Sequence, residues 1–305
     1  MSDLPEGRPG RPDTPAASGR PVAFAGGRAE TFVDLLALEE IEKNIFRGHV
    51  HAGAPLRAFG GQVAAQALVA AGRTVMSDRH VHSLHSYFLR PGRTTSPIVY
   101  LVDTMRDGRS FTTRRVTAVQ NGETIFALSA SFKVPEETPE HRRAMPEVPR
   151  PEDLPDPYEG LPREARDHYE VSQTRLVMDM RFVPPESTAV THMTDGIPHQ
   201  RVWMKAAEKL PDDPLLHVCA MAYMSDLTLA GTAAGPHITD PQNLQMASLD
   251  HAMWFHRPFR ADEWLLFAQA SPTAQDARGL AMGEFYDHQG ILVASAVQEA
   301  LIRQH

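Results

Sequence analysis

The sequence has one cysteine, few aromatic residues and no long apolar segment. Cys219 stands alone among 305 residues, which excludes an internal disulfide framework and any four-thiolate metal site. It lies in the apolar run LLHVCAMAYM, which is typical of a buried structural thiol and not of a nucleophile. Because no run of about 18 apolar residues and no signal-peptide pattern is present, we expect no membrane span and a cytoplasmic location.

An excess of basic residues is also lacking. The chain has 30 Lys and Arg against 38 Asp and Glu, a net charge of −8. A general nucleic-acid-binding protein needs a basic face to neutralise phosphates, so no nucleic-acid partner is expected. The hydrophobic content of 42 % and charged content of 22 % are those of a globular protein. The length suffices for two units of about 100 to 150 residues.

Several catalytic signatures are missing from the sequence. It contains no GxSxG, HExxH or GxGxxG motif and no phosphate-binding loop, so it does not support an α/β serine hydrolase. The spacings of His82, His85, His251 and His256 match no metal motif, and His85 and His251 are interpreted as interface or turn histidines. We expect neither a metal nor another cofactor.

Two stretches of the sequence resemble each other. HVHSLHSYFLRP ends at Arg90-Pro91, and QMASLDHAMWFHRP ends at Arg257-Pro258, 167 residues later. Glycines of two later turns, Gly122 and Gly290, are 168 residues apart. These offsets indicate an internal duplication, each copy being one helix with several antiparallel strands. The predicted division is a disordered Pro/Gly-rich tail, a first unit, a Pro-rich linker and a second unit, at residues 1–28, 29–135, 136–168 and 169–305.

The elements predicted from periodicity give an α+β architecture. A helix capped by Thr31 is predicted over FVDLLALEEIEKNIF, and a second predicted helix, Phe59 to Gly72, has small apolar residues on every side, as if a sheet wraps it. A third helix is predicted from Asp213 to Asp226, followed by a loop from Leu227 to Asn243. QMASLDHAMWFHRP is predicted as a single strand that contains Ser248.

Gly60 and Gly61 stand at the start of the second predicted helix. The first amides of a helix have no partner within it, and its N-terminus carries partial positive charge. Two interpretations stay open: close packing of the helix on its neighbours, or a cradle for an anion or a carbonyl oxygen.

Several motifs in one order resemble a known family. FGGQVAAQAL, HSLHSYFLRPG, SDLTL, DHAMWFHRPF and GEFYDHQGILVASAVQEA together look like acyl-CoA thioesterase II, the double-hotdog thioesterases. The resemblance extends from about Thr31 to the C-terminus. It implies two fused hotdog units, each an antiparallel sheet around a long helix. It also implies a homo-oligomer that hydrolyses fatty acyl-CoA to free fatty acid and coenzyme A without a cofactor.

The resemblance assigns three catalytic residues, all in the second unit. In the family an Asp at the end of the second long helix, a hydroxyl residue and a Gln activate a water molecule, and the matching positions are Asp226, Ser248 and Gln298. Family members carry Thr where this chain has Ser248, so the hydroxyl is kept and a methyl group is lost. The backbone amides of Gly60 and Gly61 are the candidate oxyanion donors.

The repeat bears on the number of active centres. Its offsets align Ser248 with Val81 and Gln298 with Ala130, and no acidic residue occurs between Gly60 and Gly72. The first unit therefore lacks all three groups, and one active centre per chain is predicted.

Arginines near the first-unit hairpin are candidate contacts for coenzyme A phosphates. Arg109, Arg114 and Arg115, with Arg106 beside them, carry the guanidinium groups that recognise phosphate well. Solvated strand charges are the alternative. Two other functions also stay open, because a fold does not fix a function: a non-catalytic acyl-CoA-binding or regulatory protein, and a hotdog hydratase or dehydratase.

Overall fold

The computed structural model describes residues 31–50, 57–159, 177–184, 197–237, 240 and 243–304. The predicted tail and the last part of the predicted linker lie outside these residues. The described helices are α1 to α4, at Phe32–Leu36, Gly60–Gly72, Pro214–Ser225 and Leu229–Ala234, with short 3-10 turns at Pro151–Asp153 and Gly235–His237. The described strands are β1 to β13, at Leu38–Glu42, Ile45–Gly48, His80–Phe88, Ile98–Asp107, Phe111–Gln120, Glu123–Lys133, Met178–Phe182, His199–Ala206, Leu244–Ser248, Asp250–Phe255, Leu265–Gln275, Arg278–Tyr286 and Leu292–Gln304.

Within the described residues all the strands belong to one antiparallel sheet. Its order is β1-β2-β4-β5-β6-β3-β10-β13-β12-β11-β8-β7, with β9 also paired to β13. Strands β3 and β10 join the two halves, and His85 lies opposite Ala252, 167 residues away. This separation equals the offset of the sequence repeat, so a local two-fold axis relates the halves. The α+β architecture predicted from the sequence is confirmed.

Helices α2 and α3 pack against each other inside the sheet. Residues 61 to 71 of α2 are all buried, as its small apolar residues predict. The helices run in opposite directions, because a side chain at Gly72 would touch Leu215 while one at Gly61 would touch the Tyr223 carbonyl. The N-terminus of α2 therefore meets the C-terminus of α3.

The first predicted helix is too long. Thr31 caps α1 in a reciprocal pair of hydrogen bonds with Asp34, as expected, but the helix ends at Leu36. The acidic segment that follows forms β1, which pairs with β2 across a turn where Asn44 has a φ of 63°. Pairing within the sheet thus overrides the helix propensity of LEEIEK. The predicted loop after α3 is also wrong in part, because it contains α4.

The stretch predicted as a single strand is interrupted by a β-bulge at Leu249. Ser248 on β9 lies opposite Ala300, whereas Ala252 on β10 lies opposite Val297. From Ser248 to Ala252 the chain advances four residues, whereas the paired strand β13 advances only three, from Val297 to Ala300. One residue on the β9–β10 side is therefore extra. Such a bulge reverses the alternation of side chains. It places Ser248 on the same face as His251, since both side chains contact that of Gln298.

The described part of the predicted linker, up to residue 159, packs against the second half. The Trp203 indole donates a hydrogen bond of 3.0 Å to the Pro149 carbonyl. Leu154 joins Trp203, Leu266 and Tyr286 in a small apolar cluster that is separate from the main core. Neighbours of Trp203 on β8 belong to the main core, so this segment covers the sheet face that points away from the helices. Among the described residues, no helix is both long and apolar enough to cross a membrane.

Candidate active site

The structure brings together the three side chains that the resemblance assigns. Asp226 follows the last residue of α3, Ser248 ends β9 and Gln298 lies within β13. The Ser248 hydroxyl donates to Asp226 Oδ1 over 3.0 Å, and Gln298 Nε2 donates to the same oxygen over 2.8 Å. Gln298 Nε2 also lies 2.5 Å from Ser248 Oγ. We call this group of three the Asp226 triangle.

Glycines at the start of α2 let the helix approach the triangle. A Cβ at Gly60 would lie 2.7 Å from Asp226 Oδ2 and 2.8 Å from the Phe88 ring, and a Cβ at Gly61 would lie 2.7 Å from the Tyr223 carbonyl oxygen. The Gly61 amide donates a hydrogen bond to Asp226. Phe59, the residue before the helix, supplies no side-chain cap. The carboxylate of the second half therefore caps the central helix of the first.

Burial dominates the electrostatics of Asp226. The side chain is 9 % exposed, and burial raises the pKa of its carboxyl above the ordinary value. Nearby His251 and hydrogen bonds from Gln298, Ser248 and Gly61 act in the opposite direction. A buried carboxylate with a raised pKa is a stronger proton acceptor than an exposed one, which suits it for general-base chemistry.

His251 and Ser225 are residues of this site that sequence reasoning missed. The His251 ring is 1 % exposed, and its Nδ1 lies 3.1 Å from Gln298 Oε1 while its Nε2 lies 2.8 Å from Ser225 Oγ. The interpretation as an interface or turn histidine omitted these contacts. The repeat held a signal, because the offset of 167 aligns His251 with Leu84, a polar-for-apolar exchange like those at Ser248 and Gln298.

Arg114 is buried, and its guanidinium group has partners within the protein. It is 4 % exposed, forms an ion pair of 2.8 Å with Asp107 and donates to the Thr74 hydroxyl and carbonyl. Arg109 and Arg115 are exposed. The structure therefore separates the three predicted phosphate contacts into one structural arginine and two surface arginines.

These arginines do not adjoin the Asp226 triangle. Arg79, in the loop after α2, donates to the Arg109 carbonyl over 3.2 Å, which places that turn at the C-terminal end of α2. The triangle lies at the N-terminal end, and a helix of 13 residues is about 20 Å long.

The histidines considered as metal ligands have other partners. His82 Nε2 lies 2.8 Å from Ser131 Oγ, and His256 Nε2 lies 2.9 Å from Ser295 Oγ. In the part of the chain that the structure describes, no three His, Cys, Asp or Glu side chains are grouped so that they could hold a metal ion.

Comparison with known protein families shows to which family the chain belongs. The family model described as "Acyl-CoA thioesterase" matches residues 172–301, and the one described as "Acyl-CoA thioesterase N-terminal domain" matches residues 48–133. The chain belongs to the acyl-CoA thioesterase family. The second match includes the start of α2, and the first includes all three members of the Asp226 triangle.

Two named thioesterases support this assignment, and a third protein supports the fold alone. The chain is 39 % identical over 289 residues to acyl-coenzyme A thioesterase 8 of Mus musculus, covering 90 % of each protein. It is 47 % identical to the crystal structure of acyl-CoA thioesterase II TesB2 from Mycobacterium marinum, with a TM-score of 0.78 and coverage of 90 % of this chain and 98 % of that one. A hot dog fold protein from Alicyclobacillus acidocaldarius, 20 % identical, has a TM-score of 0.71 over 90 % of this chain and 98 % of that one. The fold is the double hotdog.

Proposed function

We propose that this chain hydrolyses fatty acyl-CoA to free fatty acid and coenzyme A with a water molecule activated at the Asp226 triangle. The observation that carries the proposal is the convergence of a carboxylate, a hydroxyl and an amide within 3.0 Å, from three separate elements. A water molecule that replaces one of their mutual hydrogen bonds meets an acceptor in Asp226, a donor in Gln298 and a group that does both in Ser248. Family membership supports the thioester as the bond that is cleaved.

Asp226 is the general base in this proposal. It takes a proton from the water as the water oxygen bonds to the thioester carbonyl carbon. The carbon–sulfur bond then breaks, and the proton passes to the coenzyme A sulfur. A thiolate leaves readily, so positioning of the water and stabilisation of the oxyanion are the main requirements.

The N-terminus of α2 supplies the oxyanion donor in this proposal. Because the Gly61 amide is directed at Asp226, its role is to hold the base beside the substrate. The Gly60 amide belongs to the same first turn, where amides lack partners within the helix, and it is the proposed donor to the oxyanion. The helix dipole favours negative charge at both positions.

Coenzyme A phosphates are proposed to contact Arg109 and Arg115, the two exposed arginines of the hairpin. The phosphopantetheine arm separates the thioester from the nucleotide phosphates, so contacts remote from the triangle are consistent with one bound substrate. Arg114 is left out of this proposal, because its guanidinium is already engaged.

Organisation and location complete the proposal. The proposed organisation is two hotdog units joined by a linker, with the boundaries 29–135, 136–168 and 169–305. One family match falls within each proposed unit. From the resemblance we propose a homo-oligomer of the double unit, and from the composition a cytoplasmic enzyme. Light scattering on the purified chain and imaging of a tagged copy test these two points.

Release of free thiol from a panel of short to long acyl-CoAs tests the activity. The proposal predicts turnover by the intact protein and a loss of about a hundredfold or more in Asp226→Asn and Ser248→Ala. Binding of acyl-CoA without thiol release would favour a non-catalytic binding protein instead. Turnover that both variants retain in full would leave the activity and refute the site.

A further inference from the structure

A buried chain of hydrogen bonds extends the Asp226 triangle by two residues. From Asp226 Oδ1 it passes to Gln298 Nε2 over 2.8 Å, from Gln298 Oε1 to His251 Nδ1 over 3.1 Å, and from His251 Nε2 to Ser225 Oγ over 2.8 Å. Gln298 and Ser225 are fully buried and His251 is 1 % exposed. Solvent therefore does not compete for these contacts.

The chemistry of the partners fixes the direction of the first two bonds, and the protonation state of the ring fixes the third. An ionised Asp226 only accepts, so the Gln298 amide nitrogen must face it and the Gln298 carbonyl must face His251. That carbonyl also only accepts, which assigns the proton of the ring to Nδ1. In the neutral ring Nε2 is then an acceptor, so the Ser225 hydroxyl directs its one proton to Nε2 in preference to the Ala222 carbonyl, which lies 2.9 Å away. Burial lowers the pKa of His251, which favours the neutral ring, although nearby Asp226, the hydrogen bond to Gln298 and Asp250 act to raise that pKa.

An N–H at His251 Nδ1 selects one of the two orientations of the Gln298 amide. In the flipped orientation the Gln298 carbonyl would face the Asp226 carboxylate, and its NH2 group would face the His251 N–H. In the observed orientation Gln298 Nε2 reaches both Asp226 and Ser248 Oγ. The Ser248 hydroxyl, which accepts from Gln298, is thereby left to donate to Asp226.

The first half has no counterpart of this chain. Leu84 and Ala130 are paired across β3 and β6 and fully buried. The repeat offsets of 167 and 168 align them with His251 and Gln298. A histidine is therefore not needed to fill this position in a hotdog sheet, because leucine fills it in the same fold.

We infer that His251 is a positioning residue that fixes the amide orientation of Gln298, and through it the Asp226 triangle, with Ser225 fixing the ring. This inference rests on the proposed function, because it assigns a role within the same site. Its direct consequence is that the N–H at the place of His251 Nδ1, and not the ring itself, supports catalysis.

Three substitutions at position 251 separate the two ring nitrogens. The amide nitrogen of His251→Asn lies near the place of Nδ1, so it keeps the donor to Gln298. The amide of His251→Gln lies near the place of Nε2 and reaches Ser225 instead, and His251→Leu has neither contact and copies the first half. We expect kcat to fall about 10- to 100-fold in His251→Leu and His251→Gln with little change in KM, and by less than about tenfold in His251→Asn.

Two controls distinguish positioning from a general structural role. His85→Leu removes an exposed histidine on the neighbouring strand, whose ring contacts Trp254, and should leave kcat unaltered. In a Gln298→Ala background, His251→Leu should add almost no further loss, because a residue that acts through Gln298 has nothing left to position.

The experiment measures thiol release by the intact protein, by Asp226→Asn and by these variants. Thermal unfolding of each protein shows whether it is folded. Equal loss of kcat in His251→Asn and His251→Gln, or effects of positions 251 and 298 that multiply, would overturn the inference. Full activity in His251→Gln would also overturn it while leaving the proposed function intact. Absence of turnover in the intact protein would instead refute the proposed activity, and full turnover in Asp226→Asn would refute its proposed site.

Discussion

The Asp226 carboxylate accepts a hydrogen bond from the Gly61 amide, so a residue at the C-terminal end of one helix caps the N-terminal end of another. The dipole of α3 disfavours a carboxylate at that position, whereas the dipole of α2 favours it. The contact joins the two halves of the chain at the site. It explains why the triangle lies in the second half and yet depends on the glycines of the first.

Alanine at Gly60 should damage the site more than the fold. Its Cβ would lie 2.7 Å from Asp226 Oδ2 and 2.8 Å from the Phe88 ring, so the carboxylate must move, and overpacking of this kind costs about 1–3 kcal/mol. We expect kcat for thiol release to fall by about a hundredfold. Gly231→Ala is the matched control, because nothing lies within 4 Å of its Cβ, and alanine there should be neutral or stabilising. Unchanged kcat in Gly60→Ala would contradict the claim that catalysis depends on the position of the Asp226 carboxylate.

The rate should depend on pH through ionisation of Asp226. Burial raises its pKa above 3.8, and a general base must be deprotonated. The rate constant kcat/KM should therefore decline on the acid side with an apparent pKa above 3.8, which neighbouring His251 acts to lower. A pH series of thiol release with a long-chain acyl-CoA measures it. If Asp226→Asn turned over at a rate comparable to that of the intact protein and showed the same decline at low pH, another group would be responsible for the decline.

The same shift has a consequence for stability. A carboxyl group with a higher pKa in the folded state binds its proton more tightly there than in the unfolded chain. Its contribution to stability is therefore present at low pH and is lost as the pH rises through the folded pKa. Asp226→Asn, which cannot ionise, should gain stability relative to the intact protein as the pH is raised from 4 to 7. Thermal unfolding across this range measures the difference, and a difference that shrinks with rising pH would contradict the predicted direction.

The hydroxyl of Ser248, and not its size, should matter. Ser248→Thr keeps the donor to Asp226 and adds a methyl group that restricts χ1, so its rate should equal or exceed that of the intact protein. Ser248→Ala leaves Gln298 Nε2 and Asp226 without this partner, and kcat should fall by about a hundredfold. Equal rates for the serine and alanine forms would exclude the hydroxyl from the mechanism.

One active centre per chain should account for all turnover. The first half has Val81 and Ala130 where the second has Ser248 and Gln298. Asp226→Asn should therefore abolish nearly all of the activity and not half of it. A residual rate near half of the intact rate, unaffected by Ser248→Ala in the same chain, would indicate a second centre.

The sequence predicted the parts of this structure that depend on composition and on the repeat. Helices α2 and α3 were predictable because apolar residues lie on nearly every side of each, and the family motifs indicated Asp226, Ser248 and Gln298. The extent of α1 was not predictable, because LEEIEK favours a helix locally and becomes a strand only by pairing with β2. The bulge at Leu249 was not either, since strict alternation places Ser248 with Asp250 and away from His251. Extending the repeat comparison to Leu84 would have found His251.

Isotope incorporation in a single turnover tests the central claim most directly. The account holds that water attacks the thioester while Asp226 only accepts a proton. With enzyme in excess over acyl-CoA in H2¹⁸O, the first turnover should place one ¹⁸O atom in the free fatty acid and none in the peptide that contains Asp226. A fatty acid that carries only ¹⁶O, together with ¹⁸O in the Asp226 carboxylate, would show that the carboxylate attacks the substrate and would contradict the account.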